Sequence, residues 1–421
     1  MKRLFLPLLA LTVQPALAQS GPAQADPAPA APTQSALPDE AAVQEALDAH
    51  PAVQAALARV AAARAEARAL RAGSHEFSLS GSYVQRSVDR EGKYDEYDAT
   101  LSRAFRLPGK ARLDRETGEH GLRAAENRAE DARHQAAIQL NEMWWDWLGA
   151  SAEAAVDEQS AANYAATLAA VRRRVELRDA APLEADQAEA ALGEARSAAA
   201  QSRGRAEVAR ARLAARFPTL PLPAAAPEAE RPALPAQSLA QMAEQVVARS
   251  HEIGAADAEA ARMASMAERA RRERLADPTL GLRLFSERNG AERGAGVVLS
   301  VPIGGGARSA GADRAASEAQ AARAELSLVR QEVQEMADSD RARAEAALAS
   351  WQRSREMLDA QVAAVLKLRR GHQLGAIDLA DMLQGERLAH GAFRSEALAR
   401  IEAHRALGRL RIDSHNLWIA D

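Results

Sequence analysis

Two pairs of short alternating segments interrupt a chain whose other apolar residues follow a helical period. In residues 77–83 apolar and glycine positions alternate with serines, and residues 97–107 continue the alternation after a charged turn. Residues 280–284 and 295–303 form a second pair around Asn289-Gly290. Period two with one apolar face predicts strands joined as hairpins. A soluble hairpin packed on helices and a pair of membrane strands both fit this pattern.

Long proline-free stretches follow each predicted hairpin. No proline occurs between Pro108 and Pro182 or after Pro302, and apolar residues recur in these stretches at spacings of three and four. If helical, residues 110–178 would extend for about 100 Å at ~1.5 Å per residue. The sequence therefore predicts two very long helices, each of which turns back into a second helix. We place the reverse turns at Asp179 to Pro182 and at Leu374 to Ile377, where Gly375 lies.

The N-terminus has the pattern of an export signal. Lys2 and Arg3 precede an apolar run and an Ala-Leu-Ala motif, so residues 1–18 are predicted to be a cleaved signal peptide. No other segment is apolar for long enough to form a transmembrane helix. The chain is therefore expected to be exported.

Prolines and an internal repeat divide the rest of the chain. A Pro/Ala-rich stretch is expected to be disordered, and a second Pro-rich stretch near the middle is expected to be a linker. The two remaining parts have the same order of elements, offset by about 200 residues, which indicates duplication of a whole unit rather than a solenoid. The predicted boundaries are 19–38 for the disordered tail, 39–217 for the first repeat with its strand hairpin at about 77–107, 218–237 for the linker, 238–416 for the second repeat with its hairpin at about 279–303, and 417–421 for a C-terminal tail.

Composition narrows the class of protein. The 421 residues contain no cysteine, only 4% aromatic residues, and a formal net charge of −4 with basic and acidic residues interspersed. The missing cysteine excludes disulfides, thiolate metal sites and a lipid anchor at the N-terminus. The charge pattern gives no support for a nucleic-acid partner. No nucleophile, metal-ligand or cofactor motif is present, so we predict neither an enzyme nor a resident metal or cofactor.

The exits from the predicted strands carry the most specific local motifs. The first is Phe105-Arg106-Leu107-Pro108-Gly109-Lys110-Ala111-Arg112, and the second runs from Leu299 through Pro302 and Gly304-Gly305-Gly306 to Arg308. Together with the order of elements over residues 39–416, these motifs resemble the TolC-like outer-membrane efflux protein family. The Leu-Pro-Gly-Lys-Ala-Arg sequence is most similar to the CzcC-like branch of that family, which serves heavy-metal efflux.

The resemblance implies a fold and an assembly. The fold class is mainly α with a small β part: long α-helical hairpins form a trimeric helical barrel continuous with a trimeric 12-stranded outer-membrane β-barrel, with four strands per chain. Physical reasoning agrees in part, because four strands cannot close a membrane barrel and an open edge cannot face lipid. Strand counting alone permits two, three or four copies, whereas the resemblance implies a homotrimer.

The resemblance also implies a function. The chain would be the exit duct of a tripartite RND-type efflux system in the outer membrane of a Gram-negative bacterium, passively exporting heavy-metal cations. Its partners would be a periplasmic membrane-fusion adaptor, an inner-membrane RND pump and outer-membrane lipid. Two alternatives remain: an exit duct for drugs, small organic molecules or a type I secretion system, and a periplasmic coiled-coil adaptor or structural protein.

The turns of the long hairpins hold the candidate functional residues. Glu184 and Asp381 follow the two turns at matching places, and threefold symmetry would make them rings of carboxylates that favour cations. The resemblance implies an aperture role for Asp381 and places the family's second aperture acid at Gln384. Asp378 lies beside them. The alternative is helix capping, since acids in a first helical turn interact favourably with the helix dipole.

Tryptophans and tyrosines have separate expected roles. Trp144, Trp145 and Trp147 are expected to pack between helices. Tyr83, Tyr94 and Tyr97 lie on the predicted strands and are candidates for an interfacial aromatic belt.

Overall fold

The computed structural model describes residues 36–73 and 75–419. The predicted signal peptide and residues 19–35 of the predicted disordered tail lie outside these ranges. Within the described residues there are eight α-helices, four β-strands and a short 3₁₀ turn. They are α1 (Glu40–Asp48), α2 (Pro51–Ala72), β1 (Phe77–Val88), β2 (Gly92–Ala104), α3 (Lys110–Glu176), α4 (Pro182–Arg216), α5 (Leu239–Arg249), α6 (His251–Arg272), β3 (Thr279–Glu287), the 3₁₀ turn (Arg288–Gly290), β4 (Glu292–Ser300), α7 (Gly306–Gln373) and α8 (Leu379–Asp413).

The predicted fold class, mainly α with a small β part, is confirmed. The order α2-β1-β2-α3-α4 recurs as α6-β3-β4-α7-α8. Helices that correspond in the two series have almost equal lengths: 22 and 22 residues for α2 and α6, 67 and 68 for α3 and α7, and 35 and 35 for α4 and α8. At ~1.5 Å per residue, α3 and α7 are each about 100 Å long.

Alanine and glycine allow these helices to pack closely. The first half of α3 packs against α2 and α6, and its second half packs against α4 and α8. A Cβ at Gly118 of α3 would lie 2.8 Å from the Cα of Ala67 in α2. Backbones this close leave no room for larger side chains, which explains why the chain is rich in small residues and poor in aromatic ones.

A buried core surrounds the three tryptophans of α3, which confirms their expected packing role. The core also contains Leu47 of α1, Leu220 from the segment after α4, and the C-terminal residues Trp418 and Ile419. Trp144 belongs to this core and is nearly fully buried.

Both ends of the described chain differ from the expected tails. Ala36 is buried, and its carbonyl accepts a 2.9 Å hydrogen bond from the indole Nε1 of Trp144. Trp418 and Ile419 are also buried in this core. At the N-terminal end, the Ala36 carbonyl supplies the acceptor that the indole N–H of Trp144 needs when it leaves water. At the C-terminal end, Trp418 and Ile419 add apolar side chains to the core. The segment between α4 and α5 has no helix or strand, yet Leu220 and Ala229 within it are buried.

The four strands form one antiparallel sheet in the order β1-β2-β3-β4. Leu79, Leu101, Leu282 and Val297 pair across all four strands and form one apolar row. Leu79 is 75% exposed and Val297 is 74% exposed, so this face is not packed on helices. A soluble hairpin would need its apolar face to be packed in that way. The strands end at Ala104 and Ser300, a few residues before the predicted limits.

Candidate functional site

The two long hairpins reverse through the same backbone turn. At the first tip, Arg178 N–H donates to the carbonyl of Val175 (2.9 Å) and Asp179 N–H donates to that of Arg174 (2.8 Å). Arg178 has a φ of 57°. These bonds form a Schellman motif, which ends a helix through one left-handed residue. The chain then enters α4 at Pro182, whose ring suits the first turn of a helix.

The second tip repeats these bonds with different residues. Gly375 N–H donates to the carbonyl of His372 (3.0 Å), and Ala376 N–H donates to that of Gly371 (2.9 Å). The left-handed position is Gly375, with a φ of 73°. Ile377 follows and is half-buried. A glycine adopts this conformation without the steric cost that a side chain brings.

The four tip residues singled out from the sequence have different surroundings. Glu184 and Asp381 are each the third residue of their helix, α4 and α8. Asp378 caps α8, because its Oδ1 accepts from the N–H of Asp381 at 2.8 Å. Glu184 reaches back to the N–H of Ala181 at 3.4 Å, so it takes part in capping α4.

Asp381 is an exposed acid at the tip, and its carboxylate takes no part in capping. In the described chain, neither a hydrogen bond nor an ion pair reaches its carboxylate. Gln384 lies one turn further along α8 and is also exposed. Asp381 is therefore free to interact with solutes, whereas Asp378 and Glu184 hold helix ends.

An arginine and a histidine connect the two tips. Arg174 of α3 donates from Nε to Asp179 Oδ2 (3.1 Å) and lies 3.8 Å from Glu184 Oε2. Its Nη1 approaches His372 Nε2 of α7 at 3.4 Å, and His372 Nδ1 lies 3.0 Å from the carbonyl oxygen of Ile377. Sequence reasoning missed this pair, since residues almost 200 apart carry no local signal of contact.

At the first strand exit, Pro108-Gly109 leads into a buried lysine. Lys110, the first residue of α3, is 1% exposed. Its Nζ donates to Asp277 Oδ1 (2.8 Å), to Glu273 Oε2 (3.0 Å) and to the carbonyl of Leu275 (2.7 Å). All three partners come from the segment between α6 and β3. Lys110 therefore joins the first repeat to the second.

The partners of Asp277 decide its charge. Burial raises the pKa of this carboxyl group, but hydrogen bonds from Lys110, from the N–H of Leu107 and from His75 outweigh burial and bring the pKa to about 2. The carboxylate is thus ionised at neutral pH, and the ammonium group of Lys110 is compensated.

Arg106, just before this exit, holds the end of α2. Its guanidinium donates to the carbonyls of residues 70–72 at 2.9 to 3.2 Å and to Asp114 Oδ2 at 2.9 Å. The last carbonyls of a helix lack intrahelical donors, so Arg106 satisfies them. Lys110, Arg106 and their acidic partners thus hold α2, α3 and the segment between α6 and β3 together, and we call this set of residues the joint.

The second exit is built from glycines. After Pro302, a Cβ at Gly304 would lie 2.7 Å from the carbonyl oxygen of Arg274, so only glycine fits there. Gly305 and Gly306 begin α7. Arg308 donates to the carboxylate of Glu273 at 2.9 Å, so both exits meet at Glu273.

Aromatic residues lie at both ends of the apolar face of the sheet. The rings of Tyr83 and Tyr97 are 5.3 Å apart near the β1–β2 turn, and the Tyr83 hydroxyl donates to Asp95 at 2.8 Å. Phe77 and Phe105 lie near the helices, and both are exposed. Aromatic residues flank the apolar band of outer-membrane proteins in this way.

Among the described residues there is neither a metal-binding cluster nor a membrane-spanning helix. No group of three or more His, Asp or Glu side chains is arranged to hold a metal ion there. None of the described helices combines the length and the apolar character that crossing a membrane requires.

Comparison with known proteins gives a family signature and a fold. Residues 42–216 match the family model described as outer membrane efflux protein. No curated protein matches the chain in sequence. Its fold is similar to that of the outer membrane protein VceC from Vibrio cholerae, with 18% identity and a TM-score of 0.71 over 89% of this chain and 95% of that one.

Two further solved structures are similar. A membrane protein from Pseudomonas aeruginosa has 18% identity and a TM-score of 0.74, covering 89% of both chains. The MtrE outer membrane channel of Neisseria gonorrhoeae, solved in an open state, has 17% identity and a TM-score of 0.70 over 89% of this chain and 88% of that one.

These findings agree with several expectations from the sequence. The chain shares both a sequence signature and a fold with outer membrane efflux proteins. By their names, the matching proteins belong to the outer membrane, which is where we expect this chain from its sequence. The matches are not restricted to a heavy-metal branch.

Proposed function

We propose that this chain, with the fold and family signature of outer membrane efflux proteins, is the exit duct of a tripartite efflux system. Three copies assemble so that their sheets close a barrel in the outer membrane and their helices form a tunnel into the periplasm. The observation that carries this proposal is the exposed apolar face of the sheet, at one end of helices about 100 Å long.

The edges of the sheet support the assembly. Within the described chain, β1 and β4 each pair with a strand on one side only. Unpaired edges cannot face lipid, because their N–H and C=O groups would lack partners. Three copies give twelve strands, an even number in the range of known outer-membrane barrels. Each edge strand then pairs with its neighbour in the next copy.

The two faces of the sheet differ as the two faces of a membrane barrel do. The row of Leu79, Leu101, Leu282 and Val297 would face lipid, and the opposite row contains Ser80, Thr100, Arg283 and Gly296. Outer-membrane strands alternate apolar residues outward with polar residues inward. The inner surface would therefore be wet and lined mainly by small polar residues.

Asp381 is our candidate for selectivity at the tip. Threefold symmetry would place three of these exposed carboxylates at the periplasmic end, and a ring of acids in a narrow passage favours cations. Glu184 contributes less charge to this ring, because it lies near Arg174 and takes part in capping. Gln384 adds hydrogen-bonding capacity without charge.

Substitution of Asp381 tests whether its carboxylate makes the aperture selective for cations. In planar bilayers with a KCl gradient, Asp381→Asn should lower the preference for K⁺ over Cl⁻ and weaken block by Cd²⁺ or Zn²⁺ from the periplasmic side. The control Glu335→Gln removes an exposed acid of α7 far from the tip and should behave as wild type. An unchanged reversal potential and unchanged block in Asp381→Asn would remove the aperture role.

Heavy-metal cations are the favoured cargo. The support is the similarity of Leu-Pro-Gly-Lys-Ala-Arg to the CzcC-like branch, together with the cation preference expected of Asp381. A periplasmic adaptor and an inner-membrane pump would deliver the cargo. A duct for drugs or other small organic molecules has the same architecture and is the competing assignment.

Gene deletion separates the two cargo classes. Loss of the chain should increase sensitivity to Co, Zn, Cd or Cu more than sensitivity to a drug panel, and the wild-type chain should restore resistance. Sensitivity to drugs alone would favour the competing assignment. Recovery of the protein as a soluble monomer would contradict the duct itself.

A further inference from the structure

A histidine lies between the two hairpins in a cavity at the tip. The cavity has a volume of about 660 Å³ and is lined by residues of α3, α7 and α8, including His372, Arg174 and Thr167. The 3.4 Å contact between Arg174 Nη1 and His372 Nε2 joins α3 of the first hairpin to α7 of the second. It lies within a few residues of both reverse turns.

The contacts of His372 define which nitrogen carries its proton. The carbonyl oxygen of Ile377, 3.0 Å from Nδ1, can only accept a hydrogen bond, so Nδ1 carries hydrogen. The guanidinium of Arg174 can only donate. The contact at Nε2 therefore requires a lone pair on that nitrogen. Both contacts are satisfied together only by the neutral imidazole.

Protonation would turn this attraction into repulsion. The imidazolium form has hydrogen on both nitrogens, so Nε2 could no longer accept from Arg174, and two cations would face each other. Arg174 cannot easily withdraw, because Asp179 holds it through both its side chain and its carbonyl, at 3.1 and 3.2 Å.

The other charges around His372 are already paired or lie beyond Arg174. They come from each element packed around the cavity: Arg174 of α3, Asp179 of the first turn, Glu184 of α4, Arg369 of α7 and Glu386 of α8. Arg369 donates to Glu386 at 2.9 Å, and Asp179 and Glu184 lie against Arg174. The group nearest to Nε2 is therefore the guanidinium.

We infer that neutral His372 ties the two hairpins together at the tip, and that protonation of His372 releases this tie. Resting on the proposed duct function, the inference assigns to His372 the role of a positioning residue that makes the aperture open more readily at acidic pH.

A second histidine further from the tip has the opposite dependence. His390 of α8 contacts the buried Asp157 of α3 at 3.2 Å, and protonation strengthens a contact between an imidazole and a carboxylate. Acid should therefore loosen the hairpins at the tip and hold them together about three turns away. This contrast makes His390 a matched control.

Spin-label distances test the tie without requiring a channel. The chain has no cysteine, so Leu177→Cys and Leu374→Cys, at the exposed positions that start the two turns, can be labelled alone. On going from about pH 7.5 to about pH 5.5, the distance between the hairpins should lengthen by about 1–2 Å or more, the scale of helix shifts in switching transitions.

Variants of His372 and His390 test which histidine causes the pH-dependent change in distance. His372→Gln and His372→Val, the latter carrying the residue of the first hairpin at this position (Val175), should lose the pH-dependent lengthening. The variant H390Q should retain it. Circular dichroism checks that each variant folds. A constant distance in the wild type, or lengthening that persists in both His372 variants, would overturn the tie.

Conductance separates the tie from the duct. Single-channel conductance of the wild type should rise at the lower pH, and His372→Gln should show no such rise. Pore formation without either pH response would leave the duct in place and reject the tie. Distances that respond in a protein without channel activity would retain the tie as a structural device and reject the duct.

Discussion

The two repeats follow nearly the same backbone path but use different residues where that path is most demanding. The first strand exit buries the charged group of Lys110, whereas the second uses Gly304 to pass close to a backbone carbonyl. At the tips, Arg178 occupies the left-handed position of the first turn and Gly375 that of the second. The α4 cap is Ala181, and the α8 cap is Asp378.

This comparison separates what the fold needs from what each repeat adds. Both repeats need a change of direction at the same two places, and several residue types can provide it. The extra chemistry is unequal, because the buried charge network of the joint and the Arg174–His372 contact each occur once in the described chain. We infer that the joint serves stability and that the tip serves regulation.

Removing Lys110 should have the largest effect. The variant Lys110→Met leaves Asp277 without its buried cation, and breaking a buried ion pair on one side costs about 3–5 kcal/mol. We expect the free energy of unfolding to fall by this order. The measurement is denaturant unfolding of the detergent-solubilised protein followed by circular dichroism.

The matched control is Lys93→Met, which removes the charge of an exposed lysine in β2 and should change stability by less than about 0.5 kcal/mol. Equal stability of Lys110→Met and Lys93→Met would show that the joint does not depend on its charge.

Acid should remove the stabilising interactions of the first strand exit before those of the second. Asp277 has its pKa lowered from 3.8 to about 2, so its stabilising contribution is fully present above pH ~4 and is lost as the pH falls through ~2. The shift corresponds to about 2 kcal/mol. Stability measured between about pH 5 and pH 2 should decline less steeply in Asp277→Asn than in the wild type.

The second exit provides the control for this pH dependence. Asp313 lies 3.0 Å from Arg274, but its side chain is largely exposed, so the interaction is screened by water. Asp313→Asn should therefore follow the wild-type pH profile. If it flattens the profile as much as Asp277→Asn does, the difference between the two exits is not electrostatic.

Local patterns in the sequence were sufficient to predict some features. Alternation in residues 77–83 and 295–303 predicts strands, and long proline-free stretches predict α3 and α7, because these elements follow from periods along the chain. Lys110 illustrates what was not predicted. From the sequence alone, a lysine at the start of a helix is expected to be a solvated charge. Its burial depends on tertiary contact with Asp277, which lies 167 residues away along the chain.

The tips show the same limit. The positions of Glu184 and Asp381 follow from local turn and helix signals, and their matching places follow from the repeat. Their environments differ because Asp378 caps α8 with its side chain, whereas Ala181 has no side-chain acceptor and Glu184 reaches back to the N–H of Ala181. The neighbourhood of Arg174 and His372 depends on how α3 packs against α7 and α8, which a single sequence does not reveal.

Exchange of the two helix caps should have the smallest effect. Asp378→Ala removes the acceptor of the Asp381 N–H, which costs about 1 kcal/mol, so hydrogen exchange in the first turn of α8 should accelerate about fivefold. Ala181→Asp should do the reverse for α4, since it supplies the acceptor that the first repeat lacks. Because the N–H of Glu184, which this acceptor would bind, already donates to the carbonyl of Ala181 at 3.0 Å, the gain should be smaller than the loss. Equal protection of the two first turns in the wild type, unchanged by either variant, would mean that packing of Leu379 and Met382 into the core of the hairpins, and not capping, holds these helix ends.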